Sequence, residues 1–175
     1  MVSPAQPANG TPRLDETLIE SAIGSAVRNV CRTMMRCEAK AGTRVGDAEP
    51  ETMPRVFEMI GNVGFVGQIN GLVYLCLSHD FAVYAVGEIL GMERHDVERE
   101  GAETIRDAIG EVTNMVAGGF KNAFCDLGHP CKLTLPTIVC GRDLRVSCLK
   151  SSVRRVFRFE VKGHVLFVEV HFAAE

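Results

Sequence analysis

Glu111 and Asn114, a carboxylate and an amide three residues apart, are the pair in this sequence best suited to chemistry. They lie in the proline-free stretch VEREGAETIRDAIGEVTNMVAGGFKNAFCDL, residues 97–127. Its apolar residues Ile105, Ala108, Ile109, Val112, Met115, Val116, Phe120 and Ala123 recur three or four apart, which predicts one long helix with a stripe facing a core. At about 100° per residue, Asp107, Glu111, Asn114 and Gly118 fall within roughly 60° of each other on the opposite side. Side chains three apart are neighbours on a helix, so Glu111 and Asn114 can grip one target together. Most Glu and Asn residues on an outer helix face are merely solvated. Here, however, Asn114 is a mediocre helix former placed in mid-helix, and Gly118 costs roughly 1 kcal/mol against alanine while clearing space for an approaching surface.

The run DAIGEVTNMVAG (107–118), followed by Pro136 in KLTLPTIVCG, resembles the CheC/CheX/FliY chemotaxis phosphatases, whose pattern is D/S-x-x-x-E-x-x-N and then a proline. All the elements occur in order, with twenty-one residues between Asn114 and Pro136. The likeness is greatest to the CheX branch and extends over most of the chain. GNVGFVGQINGLVYLCLSHDFAVYAVGEILG resembles that branch's glycine-containing hairpin and second helix, and LIESAIGSAVRNVCRTM its first helix. The resemblance implies a phosphatase acting on a phosphorylated CheY-like response regulator, with a homodimer as the working unit. The regulator carries its phosphoryl group on an aspartate and supplies its own Mg²⁺ and lysine, so no cofactor of the phosphatase itself is expected. Asn114 would hold a water in line with the phosphorus, since an amide both donates and accepts hydrogen bonds. Glu111 would pair with the partner's lysine. Asp107 would orient Glu111, contact the partner or only favour the helix, and Pro136 would shape a strand beside the site. The rival expectation is a non-catalytic module of the same fold that docks a regulator or a flagellar or sensory assembly. Relatives with two sites repeat the motif in the first helix; here that row reads Ser21, Ser25 and Arg28, so one site per chain is expected.

Composition narrows the remaining classes. At 175 residues the chain suits a single domain, expected over residues 14–175 behind a disordered, proline-containing tail of residues 1–13. A net charge of −3 argues against nucleic acid as the partner. No apolar run reaches membrane-spanning length and no signal-peptide layout opens the sequence, so a cytoplasmic location without membrane insertion is expected. The seven cysteines, at 31, 37, 76, 125, 131, 140 and 148, contain no CxxC pair. They read as buried free thiols, and no metal is expected even around Cys125, His129 and Cys131. The glycines at 61, 64, 67 and 71 lack the GK[ST] of a phosphate loop and instead suggest a hairpin and a close sheet crossing. Ser151 and Ser152 have no His–acid neighbours for a triad.

These residues are positioned by an α+β arrangement: a mostly antiparallel sheet of about six strands with long helices packed on one face. A first helix is expected over residues 14–35 and a short strand in CEAKAGTRV, with residues 46–54 as a surface loop. Two strands follow, RVFEMIGNV and FVGQINGLVYLCLS, joined near Gly64. A helix over residues 78–90 carries Ser78 as its N-cap and Gly91 as its stop, and MERHDVERE is a linker. After the long helix come the strands CKLTLPTIVCG, VSCLKSSVRRVFRFEV and HVLFVEVHFA, the last two joined at Lys162-Gly163. Their alternation predicts a wet face, on which Arg154, Arg155 and Arg158 would be solvated, whereas His171 is expected to be structural.

Overall fold

The computed structural model describes residues 16–40, 44–45, 57–147 and 152–173. The expected tail (1–13), the loop at 46–54 and Cys148 lie outside the described residues. In chain order the elements are α1 (Glu16–Met34), β1 (Ala39–Lys40), β2 (Arg44–Val45), β3 (Phe57–Gly67), β4 (Gly71–Leu77), α2 (His79–Leu90), α3 (Arg94–Glu100), α4 (Ala102–Asp126), β5 (Cys131–Leu133), β6 (Thr137–Leu144), β7 (Ser152–Val161) and β8 (His164–Ala173). The strands form one antiparallel sheet in the order β1-β7-β8-β4-β3-β5, with β2 also on β7 and β6 also on β3. The α+β class and the helix layer on one sheet face are as expected. The strand number rises to eight because two are two-residue pieces and KLTLPTIVCG divides into β5 and β6.

Local signals are realised where a single residue type decides the backbone. Ser78 caps α2 by accepting a hydrogen bond from the Phe81 N–H, and Gly91 ends the helix with φ +67°. Lys162 (φ +50°) and Gly163 (φ +84°) turn the chain between β7 and β8. Other expectations give way to the tertiary structure. β3 runs unbroken through Gly64, and the hairpin turns at residues 68–70, where the Asn70 side chain accepts from the Gly67 N–H. The linker is a helix, α3, anchored by buried Val97 and by Arg94, which bonds Asp80 (2.5 Å) and Glu98 (3.0 Å). The long helix begins at Ala102 because Gly101, at φ +95°, breaks the chain between α3 and α4.

The main core lies between the helices and the inward side chains of β3, β4, β7 and β8. Phe65 of β3 meets Phe120 of α4 edge-on at 5.6 Å and Phe172 of β8 at 5.8 Å. Such pairs are worth about 0.5–1.5 kcal/mol beyond the area they bury. Two glycines set the closeness of the layers. A Cβ on Gly119 would lie 2.9 Å from Ala26 Cβ, so α1 and α4 cross nearly backbone to backbone. A Cβ on Gly61 would lie 2.2 Å from Thr113 Oγ1, so α4 rests on β3 where β3 has no side chain. This crossing is the reason for a glycine in the middle of an eleven-residue strand.

The opposite sheet face is not the wet surface expected. Glu169 is fully buried there, accepting from Arg154 at 2.7 and 2.8 Å and lying 3.0 Å from His171 Nε2. Burial pushes the Glu169 carboxyl up, but the hydrogen bonds of His171 and Arg154 outweigh it and hold the group below the ordinary range. Around this cluster pack Phe57, Ile60, Cys76, Val156 and Phe167. Arg155 points to the helix side and pairs with Glu16 of α1, and Arg154, Arg155 and Arg158 are all half-buried and not fully solvated as expected. His171 is structural, as expected. Four of the six described cysteines are buried free thiols, and burial raises that of Cys31 to about 12. Cys140 is exposed, because β6 lies at the sheet edge.

Replacing Gly61 by valine is expected to lower unfolding free energy in urea by about 2–3 kcal/mol, since Thr113 is held by its own bond to the Ile109 carbonyl and cannot swing away. Gly61→Val paired with Thr113→Ala should recover part of that loss.

Candidate functional site on the outer face of α4

The inner arc of α4 is formed by Ile105, Ile109, Val112, Val116 and Phe120 as the periodicity predicts, and also by Gly110, Thr113, Ala117 and Phe124. Ala108, Met115 and Ala123 are only half-buried. The buried arc thus extends towards β3 and β6 further than hydrophobicity alone indicates. Thr113 enters it by bonding the Ile109 carbonyl at 2.7 Å, and Gly110 by having no side chain. Asn114 follows Gly110 by one turn and borders this arc, so it is half-buried, whereas Asp107 and Glu111 are exposed. The amide is therefore partly shielded from solvent, whereas the two carboxylates are exposed.

Pro136 reaches this face through the sheet. The segment between β5 and β6 is tied to β3 at Thr134: its N–H donates to the Gly64 carbonyl (2.8 Å), and its Oγ1 accepts from the Gly64 N–H (2.9 Å). The same hydroxyl donates to the Leu135 carbonyl (3.2 Å). A Cβ on Gly64 would sit 3.0 Å from Thr134 Cγ2, so the bare glycine makes room for this anchor. Pro136 and Ile138 then face α4 across an open groove of about 440 Å³, whose other walls are Arg106, Asp107, Gly110 and Glu111.

The structure accordingly brings Asp107, Glu111 and Pro136 into one groove and places Asn114 and Gly118 on the same helix beside it. Gly118 has open space above it, with nothing within 4 Å of an added Cβ. Gly110, Arg106 and Ile138 line the groove without having been singled out from sequence. Gly110 did carry a signal, as a mid-helix glycine, but only β6 shows what its bareness opens. A larger cavity of about 700 Å³, lined by charged groups of both signs including Arg32, Arg36, Glu38 and Glu160, contains none of these residues. Among the described residues no cluster of three His, Cys, Asp or Glu side chains could hold a metal, and no helix is long and apolar enough to cross a membrane. Chemically, the face offers a free carboxylate for a cation and an amide for a water. Both stand on a rigid, convex element that can enter another molecule's cleft.

Residues 59–160, which include the whole of this site, match the family model described as chemotaxis phosphatase CheX. The CheY-P phosphatase CheX of Thermotoga maritima is 28% identical over 137 residues, 76% of this chain and 81% of that protein. The fold is shared with the chemotaxis protein CheX of Desulfovibrio desulfuricans (TM-score 0.74, 23% identity, 88% of this chain and 98% of that one). It is also shared with a chain of the CheX–CheY–BeF₃–Mg²⁺ complex of Borrelia burgdorferi (TM-score 0.72, 19% identity, 92% and 99%).

Because Gly118 supports nothing in the fold, Gly118→Ala is expected to raise stability by about 0.5–1 kcal/mol in chemical denaturation. A loss would place a hidden structural demand on that position.

Proposed function

The chain belongs to the CheX chemotaxis phosphatase family, and on that premise we propose that it accelerates hydrolysis of the aspartyl phosphate of a CheY-type response regulator. The observation that carries this reading is the placement of Glu111 and Asn114 one turn apart on a single rigid helix face, with Asp107 and Pro136 framing the adjoining groove. An acyl phosphate is already reactive, so a catalyst gains most by positioning and charge placement. Asn114 enters the regulator's phosphorylation site and holds one water in line with the phosphorus, its carbonyl accepting from the water and its NH₂ remaining free to donate to a phosphoryl oxygen. Glu111 pairs with the regulator's active-site lysine and sets the register of the helix in the cleft. Asp107 assists Glu111 from the preceding turn, and the bare Gly118 lets the partner's surface close over the next one. The Mg²⁺ belongs to the phosphorylated partner and neutralises phosphoryl charge there. Such a regulator acts in the cytoplasm, which is the location proposed for this chain.

The working unit proposed is a homodimer. Its support is β6, which pairs only with β3 among the described residues and leaves an edge whose residues Thr137, Val139, Cys140, Gly141, Arg142 and Asp143 are all exposed. Light scattering after size exclusion should report a mass near twice 19.1 kDa; a monomer at all accessible concentrations removes this part of the proposal.

The enzymatic reading is tested by following the decay of a phosphorylated CheY-type regulator. Wild type should speed decay. Asn114→Ala should cut turnover about 100-fold with binding retained, and Glu111→Ala should lose both turnover and affinity. Binding without any acceleration by wild type would replace the phosphatase with a docking module of the same fold.

A further inference from the structure

Leu135 is the most exposed large apolar side chain among the described residues, at 87%, against 59% for the next, Val66. A scattered surface leucine is ordinary. This one differs in how it is held. Its neighbour Thr134 is bonded to both backbone groups of Gly64 and, through its hydroxyl, to the carbonyl of Leu135 itself. On the other side Pro136 fixes its own φ near −65° and restricts the residue before it, which is Leu135. Leu135 is thus locked on both flanks while its side chain stands in water. The flank that follows it, Pro136, is a wall of the groove that contains Asp107 and Glu111. Nothing in the fold rewards this arrangement: the side chain packs on no core cluster. With its backbone already held, an apolar knob beside a site loses only its side-chain rotamer freedom when a second surface covers it, a smaller cost than ordering a loop as well, which suits an interface anchor.

We propose that Leu135 is a docking residue that seats in an apolar depression of the response regulator next to its phosphorylated aspartate, and so helps decide which regulators are served. This rests on the phosphatase reading above and adds a specificity element that neither Glu111 nor Asn114 provides. Those two engage groups that every phosphorylated regulator presents, namely phosphoryl, water and lysine. A contact outside the cleft, by contrast, reads surface that the phosphorylation chemistry does not dictate, and so can discriminate between regulators. Leu135 works on affinity for the partner, not on the reacting atoms, so its removal changes the concentration of regulator needed and not the rate at saturation.

The test uses the full chain and CheY-type regulators of the same organism, loaded with BeF₃⁻ and Mg²⁺ for binding and phosphorylated for turnover. Leu135→Ala and Leu135→Asp should raise Kd and KM together by about tenfold or more, with turnover at saturation within twofold of wild type and an unchanged melting curve. Leu135→Met should keep most of the affinity. Leu90→Asp, an exposed leucine at the end of α2, serves as the control and should bind like wild type. Wild-type affinity in Leu135→Asp, or equal weakening in Leu90→Asp, overturns the docking role while leaving the phosphatase reading intact. Failure of wild type to bind or dephosphorylate any regulator overturns both, and Asn114→Ala, inactive yet still sensitive to Leu135 in binding, separates the two roles.

Discussion

The contact on which this structure depends is the crossing of α4 over β3 at Gly61 and Thr113. There a Cβ on the strand would lie 2.2 Å from Thr113 Oγ1 of the helix, an approach that only a glycine permits. The crossing fixes the roll of α4: with Thr113 and Gly110 turned inward, Asn114 falls at the border of the buried arc and Glu111 outside it. A helix held by the apolar stripe alone has freedom to roll by a few tens of degrees, since hydrophobic contact is non-directional. A hydroxyl packed into the notch left by a missing side chain is far less forgiving. The orientation of the candidate site is thus set by a small polar residue and a glycine, and its affinity for the sheet by the phenylalanines.

The same strand governs the second half of the site. β3 pairs with β4 on one side and with β5 and β6 on the other, so it is the reference against which both α4 and Pro136 are placed. Gly61 and Gly64, three residues apart, are used for different purposes. The first lets the helix approach on the inner face, and the second admits the Thr134 anchor at the β5–β6 joint. The groove between Pro136 and Glu111 is the space left when both attachments are made.

Away from the site, the fold accepts a buried Glu169 on the sheet face opposite the helices. Taking a carboxylate out of water is costly unless several donors satisfy it, and Arg154 and His171 do so. Such a cluster resists slippage between β7 and β8, because a shift of one residue would place Glu169 among the phenylalanines of the main core. The register of the edge half of the sheet is therefore specified by charge, and that of the helix-bearing half by glycine.

Much of this was legible in the chain before folding was considered. The helical period placed Asp107, Glu111, Asn114 and Gly118 on one face, since that grouping needs only 3.6 residues per turn. The Ser78 cap, the Gly91 stop and the Lys162-Gly163 turn are likewise local, each settled by one residue's backbone preference. What only the tertiary structure decided depends on pairing partners far apart in sequence. β3 passes straight through Gly64 because Thr134, seventy residues on, bonds it there. The helix predicted from residue 97 starts at Ala102 because Gly101 turns the chain so that Val97 can be buried. The alternation of β8 reads as wet on one side, yet Glu169 is buried, because its neutralising Arg154 is supplied by the adjacent strand. The likeness of motif pointed to Pro136 as part of the site, but its position against Glu111, with Gly110 bare between them, exists only once β3 has gathered both elements. Spacing within a helix is dictated by the backbone, whereas proximity between elements is dictated by packing, and that distinction separates what the sequence determined from what the fold did.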